Sequence, residues 1–205
     1  MRWIAAAALA FVVQGAPANL PPAYPRPGSV KILDNDRVQV WNIAWLKDQP
    51  TPLHRHIYDL AGIYYEPGDR MIISPEGNKR PVSTKAWDPV FQAAGITHIE
   101  EGVSDSSLRA VFVEMKLPGP YGTDAGGNGA PTFAGEGGAK KLDNERVTLW
   151  EFAARPPASS HRHTRDAVAV AIDGRNPRAV WVPRGTVHAD DIAGPASRIY
   201  VFEIK

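Results

Sequence analysis

An internal duplication limits what this chain can fold into more than any other feature. The run Lys31-Ile32-Leu33-Asp34-Asn35-Asp36-Arg37-Val38 returns as Lys141-Leu142-Asp143-Asn144-Glu145-Arg146-Val147. Leu53-His54-Arg55-His56-Ile57-Tyr58-Asp59 returns as Ser160-His161-Arg162-His163-Thr164-Arg165-Asp166, and Gly95-Ile96-Thr97-His98 as Gly185-Thr186-Val187-His188. Each half closes on a similar apolar run, Leu108 to Lys116 and Arg198 to Lys205. Four matches in one order imply two copies of one unit, at residues 30–116 and 140–205. Residues 117–139 between them are dense in glycine and read as a flexible linker. No Lys-Ser/Thr pair follows those glycines, so they do not read as a phosphate loop.

Within each unit the apolar residues alternate or come in short bursts. Val38 to Trp45, Gly62 to Tyr65, Met71 to Ser74, Leu108 to Met115, Val168 to Ile172 and Ala179 to Val182 read as strands. Turn residues separate them, as at Pro67-Gly68-Asp69 and Asp173-Gly174. No stretch offers a long amphipathic helix, so the expected class is all-β, a sandwich or barrel in each half. Gly95 stands 39 residues after His56 but Gly185 only 22 after His163, a surplus of 17 that predicts an added hairpin in the first half. Trp41, Trp45, Trp150 and Trp181 read as core.

The N-terminus carries Arg2, an apolar run from Trp3 to Val13, and Ala16-Pro17-Ala18 as a small-x-small cleavage site. That is the pattern of a signal peptide over residues 1–18 and places the protein in a bacterial periplasm or outside the cell. The apolar run is too short to span a bilayer. Residues 19–29, with Pro21, Pro22, Pro25 and Pro27, read as an extended tether. Basic and acidic residues number 23 and 22. Loss of Arg2 leaves 22 against 22, a balance that points away from nucleic acid or a membrane surface and toward small molecules or proteins as partners, of which a small-molecule ligand is the one expected here. Cysteine is absent, which excludes thiolate chemistry and leaves only nitrogen and oxygen ligands for any metal.

The six histidines all fall in the repeated motifs: His54, His56 and His98, then His161, His163 and His188. Residues i and i+2 of a strand share a face, so each His-x-His pair points together. A third histidine from a later strand completes a three-nitrogen set with positions left open for substrate. Alternation sends Arg55 and Arg162 to the opposite face. The pairs Glu100-Glu101 and Asp190-Asp191 follow the third histidines and read more readily as solvated turns than as general bases.

These motifs resemble the cupin superfamily, and specifically its two-barrel bicupins. Pro183-Arg184-Gly185-Thr186-Val187-His188 matches the family's second motif in full. In the first half Ala93 replaces its proline. The resemblance implies two tandem jelly-roll β-barrels, each holding one divalent metal near its mouth. The family's glutamate falls at Leu60 or Ala61 and at Ala167 or Val168, which cannot ligate. Asp59 and Asp166 stand nearby at matching positions, as outer supports orienting a ligand imidazole or Arg55 and Arg162. A three-histidine set without carboxylate resembles that of the thiol, diketone and gentisate dioxygenases, which implies ferrous iron, with zinc, manganese, copper or nickel as alternatives. The corresponding function is dioxygenase-type turnover of a small molecule; the alternative is a non-catalytic metal- or ligand-binding module. Exposed strand edges are compatible with a homodimer.

Overall fold

The computed structural model describes residues 19–119, 138–152, 161–188 and 198–205. Sixteen strands lie among them. The first half contributes β1 (Ser29–Asp34), β2 (Val38–Trp45), β3 (His54–Arg55), β4 (Asp59–Glu66), β5 (Gly68–Ile73), β6 (Lys79–Thr84), β7 (Pro89–Gln92), β8 (Thr97–Gly102) and β9 (Leu108–Met115). The second contributes β10 (Ala139–Asp143), β11 (Val147–Phe152), β12 (His161–Arg162), β13 (Ala167–Ile172), β14 (Arg178–Val182), β15 (Val187–His188) and β16 (Arg198–Ile204). Residues 120–137 of the linker expected at 117–139, the signal peptide expected at 1–18 and the acids Asp190 and Asp191 lie outside the described residues.

The duplication is carried strand for strand. One five-stranded sheet has the order β1-β2-β9-β4-β7, and the other β10-β11-β16-β13-β14. Both first hairpins carry a register shift at the same place, between Lys31 and Leu33 and between Lys140 and Leu142. Both turns are closed alike: Asn35 Oδ1 accepts from the amides of Arg37 and Val38, and Asn144 Oδ1 from those of Arg146 and Val147. Asparagine is suited to this because its short side chain imitates a backbone turn.

Strand residues of both parities are apolar because each large sheet is covered on both faces. Val40, Ala61, Ile63, Val111 and Val113 pack against Leu149, Val168, Val170, Tyr200 and Phe202, so the two sheets share one core across the halves. The alternate residues face inward. Trp41, Trp45, Leu60, Tyr64 and Phe112 fill the first half, and Phe152, Ala169, Val182, Ile199 and Val201 the second. This explains the unbroken apolar run of β13, every residue of which is buried.

A smaller sheet forms the other wall of each half. It has two strands in the second half, β12-β15, and four in the first, β3-β8-β5-β6. The 17-residue surplus is the antiparallel hairpin β5–β6, which widens this wall. Among the described residues, hydrogen bonds do not close the barrels expected from the sequence: each half shows two separate sheets, as double-sheet jelly rolls do.

The proline-rich segment departs from a free tether. It bends at Ala23 and Pro25 and turns at Pro27-Gly28, and Ala23 and Tyr24 are only 3% and 4% exposed. The Arg55 amide donates to the Pro21 carbonyl at 3.0 Å, and the Ala44 amide to that of Gly28 at 2.7 Å. Proline fixes the backbone without needing a donor, and Tyr24 supplies the apolar area that docks the segment against Trp41, ring centroids 5.3 Å apart.

Candidate metal centre

His54 and His98 face each other in the β3–β8 register, and His56 follows two residues after His54. A conserved local device in both halves delivers the third histidine. Gly95 and Gly185 take positive φ, 95° and 77°, a conformation glycine adopts without steric cost. Their amides donate to the carbonyls of His56 and His163, at 2.7 and 2.9 Å. The turn ahead of β8 or β15 is thereby tied to the His-x-His segment.

The three imidazoles of the first half meet in the interior. His54, His56 and His98 are 3%, 2% and 6% exposed. Their ring centroids lie 4.8–5.2 Å apart. One ligand nitrogen from each lies within 4.8 Å of the others. The Nε2 atoms of His56 and His98 are 3.1 Å apart. Two nitrogens bound at 2.0–2.1 Å to one ion, at angles between octahedral and tetrahedral, would sit about 2.9–3.4 Å apart. His54 Nδ1 lies 2.9 Å from the Pro52 carbonyl and 3.3 Å from Thr51 Oγ1. Donation to that carbonyl leaves Nε2 as the ligating atom, a fixed tautomer of the kind metal ligands need. Burial, above all, lowers the pKa of all three, that of His56 to about 3. They are neutral at neutral pH and offer lone pairs without first losing a proton.

In the second half His161 and His188 face each other in the β12–β15 register as His54 and His98 do. The side chains of those two residues lie outside the described set. His163, the counterpart of His56, is 2% exposed.

Asp59 and Asp166 do not take the place foreseen for them beside an imidazole or Arg55 and Arg162. Asp59 Oδ1 accepts from the amide of Ala94, and Asp166 Oδ1 from that of Arg184, the residues just before the two turn glycines. Their second oxygens reach across the halves: Asp59 Oδ2 to Arg146 Nε at 2.6 Å, and Asp166 Oδ2 to Arg37 Nη2 at 2.8 Å. The bridges are reciprocal, since Arg37 and Arg146 occupy the same repeat position. Each aspartate thus anchors the turn that carries a third histidine and ties it to the opposite half.

Glu100 overturns its reading as part of a solvated turn. It is 5% exposed and follows His98 by two, so alternation turns it inward. Trp45 Nε1 donates to it at 2.9 Å, and Arg70 and Arg26 stand at 3.4 and 3.8 Å. Burial alone would raise its pKa, but Arg70, His98, Arg26 and the Trp45 bond together bring it down to about 2. Tyr24, Arg26 and Arg70 were not singled out in the sequence. For Glu100 the signal was present in the i, i+2 spacing of His98 and Glu100 in β8.

No family model matches the sequence, and no curated protein matches it. Among solved structures, AerE from Microcystis aeruginosa aligns over 87% of this chain and 98% of its own at 11% identity, TM-score 0.55. A cupin 2 conserved barrel protein from Leptotrichia buccalis aligns over 86% and 88% at 14% identity, TM-score 0.48. A cupin domain from Bordetella pertussis aligns over 46% of this chain and 99% of its own at 25% identity, TM-score 0.40. The chain therefore has an all-β fold like that of AerE, with a buried histidine triad suited to a metal ion.

Proposed function

We propose that this is an exported metal-binding protein of two tandem cupin barrels, acting on a small molecule by dioxygenase-type chemistry. In this reading His54, His56 and His98 hold one divalent ion, and His161, His163 and His188 hold a second on the same plan. What carries the reading is the meeting of three buried, neutral imidazoles, one with its outer nitrogen tied to a backbone carbonyl. An all-nitrogen set fits ferrous iron, and also zinc, manganese, copper or nickel. When bound, such an ion supplies Lewis acidity and, as ferrous iron, access to oxygen chemistry. The chain's part is to keep the imidazoles unprotonated, to fix the His54 tautomer through Pro52, and to shield the site with Tyr24 and Trp41.

Elemental analysis of protein reconstituted with Fe(II), Zn(II) and Mn(II) tests the metal reading. At least one equivalent per chain is expected, with loss of the first-half share in His56→Ala. Failure to retain any metal would sink it. Oxygen uptake with phenols, diketones and thiols tests the chemistry. The competing reading, a binding module without turnover, draws support from Glu100. Clamped by Trp45 and Arg70 and ionised down to about pH 2, this carboxylate is too weak a base to serve near neutral pH.

A further inference from the structure

A cavity of about 100 Å³ opens between the proline-rich segment and the residues leading into β3. Residues between Pro21 and Pro27 form one wall, and Thr51, Pro52 and His54 form the other. The cavity therefore reaches the triad at His54, a side chain only 3% exposed. A cavity of about 150 Å³ takes a benzene, so with the segment docked this one admits about four non-hydrogen atoms.

The segment is fixed at its two ends and thinly between them. At one end the Arg55 amide donates to the Pro21 carbonyl at 3.0 Å, and Pro22 forms a single parallel bridge with Arg55. At the other the Ala44 amide donates to the Gly28 carbonyl at 2.7 Å. Pro21, Pro22, Pro25 and Pro27 have no backbone donor to give, and Arg26 is bonded to Ser29 within the segment itself. The hold between the ends falls chiefly to two side chains. Tyr24 lies on Trp41, and the Arg26 guanidinium carbon stands 5.2 Å from the Trp45 ring.

Both side chains are docked at a cost. The Tyr24 hydroxyl and Nε and Nη2 of Arg26 are buried and make no hydrogen bond. Arg26 reaches Glu100 at 3.8 Å, longer than the roughly 2.7–2.9 Å of a charge-assisted bond. Buried donors without acceptors penalise the docked state, and water satisfies them once the segment leaves. Gly28 supplies a pivot. Its φ of 81° lies in a region that glycine enters freely, and the bonds between Ser29 and Arg26 close the turn around it. The Pro21 end can thus peel from β3 while β1 stays in its sheet.

We infer that this cavity is the route by which ions and small molecules reach the first-half triad, with residues 21–27 as its gate. Docked, the gate admits only the smallest molecules; peeled back about Gly28, it bares His54 to larger ones. The inference rests on the metal-site reading for what the route serves; the gating itself needs no metal.

A reversible staple tests it. The chain has no cysteine, and Pro22 and Arg55 are both exposed and paired across their bridge. Bridged strands lie about 4.8 Å apart, within the roughly 4.4–6.8 Å between Cα atoms that a disulfide spans. The full chain carrying Pro22→Cys and Arg55→Cys is compared oxidised and reduced. The readout is carbethoxylation of His54 by diethyl pyrocarbonate, a reagent larger than benzene and hence than the docked cavity, followed by peptide mass. Metal-free protein should react at the wild-type rate when reduced and roughly tenfold more slowly when oxidised. Tyr24→Ala should react more than about tenfold faster, and closing the staple in that variant should suppress the gain. Should the cysteines fail to pair, Tyr24→Ala alone decides. Zinc uptake by the metal-free chain, followed with a chromophoric indicator, should slow with the staple in the same way. Equal carbethoxylation of oxidised and reduced protein, or unaltered carbethoxylation in Tyr24→Ala, would overturn the inference. Zinc taken up equally fast in both states overturns it while the metal reading stands. Gated carbethoxylation in a chain that retains no zinc upholds it and refutes the metal reading instead.

Discussion

Truncating Tyr24 tests whether the proline-rich segment is a docked part of the first half. Its ring is 96% buried, on the 4% exposure found, and lies against Trp41, His56 and the guanidinium of Arg26. Truncating a buried aromatic costs about 3–5 kcal/mol. The same change removes a hydroxyl that makes no hydrogen bond, returning about 1–3 kcal/mol of desolvation. The net loss from Tyr24→Ala is therefore about 2 kcal/mol, or about thirtyfold in an opening equilibrium. Because the segment can peel away without unfolding the sheets, the loss should appear locally. Hydrogen exchange at the Arg55 and Ala44 amides reads it directly, since these donate to Pro21 and Gly28. Both should exchange about thirtyfold faster, while the amides of Val40 and Val111 in the shared core stay unchanged. Tyr24→Phe, which keeps the ring and drops the unpaired hydroxyl, should slow exchange at the same two amides. Unchanged exchange at Arg55 and Ala44 in Tyr24→Ala would refute the docking role of that side chain. Equal acceleration throughout would show that segment and sheets open as one unit.

Arg146→Met should lower unfolding free energy by about 2 kcal/mol, between the limits for exposed and buried pairs. A double-mutant cycle with Asp59→Asn in urea should return about 1 kcal/mol of coupling; zero coupling would remove the cross-half bridge from the account. Trp87 in the loop after β6 stacks on Tyr200 at 6.2 Å with the Arg198 guanidinium 4.4 Å from its ring. Trp87→Ala should cost about 1–2 kcal/mol, and an unchanged melting temperature would contradict that contact. Glu114 and Glu203, which accept from Trp41 and Trp150, are both raised above 4.5, chiefly by burial. A raised carboxyl contributes stability that is full below its unfolded value and is lost as pH rises through its folded value. Replacing both by glutamine should therefore raise the urea midpoint at about pH 7 and leave it nearly unchanged at about pH 4; equal midpoints at both would refute the shift.

Much of the frame was legible because it rests on local chemistry. Alternation located β2 and β9 to the residue, and the surplus between His56 and Gly95 located the β5–β6 hairpin. The histidine pair and the glycine turn needed only the two-residue period of a strand and the backbone freedom of glycine. What alternation could not supply was the second partner of a side chain. Asp59 was placed near the histidines, but its bond to Arg146 depends on how two sheets pack, and 87 residues separate the two. Tyr24 was concealed differently: four prolines in its neighbourhood describe an extended backbone and say nothing of what that backbone lies against. Glu100 was within reach, since the spacing that put His54 and His56 on one face puts His98 and Glu100 on one face too.

The repeat also separates what the two halves share from what each adds. Shared are the asparagine-closed turns, the tryptophan–glutamate bonds, the glycine turns and the reciprocal Arg–Asp bridges, all features of the backbone frame. The first half carries the segment bearing Tyr24 and Arg26, and it adds the hairpin bearing Arg70. These come from different ends of the unit, yet both deliver cations to Glu100 and to the face of Trp45, with the guanidinium carbons of Arg26 and Arg70 at 5.2 and 5.0 Å from its ring. Among the described residues, the interior of the second half includes Phe152, Val182 and Val201. Beside the first half's histidine triad, such a donor-rich wall rewards negative charge where an apolar one would reward area.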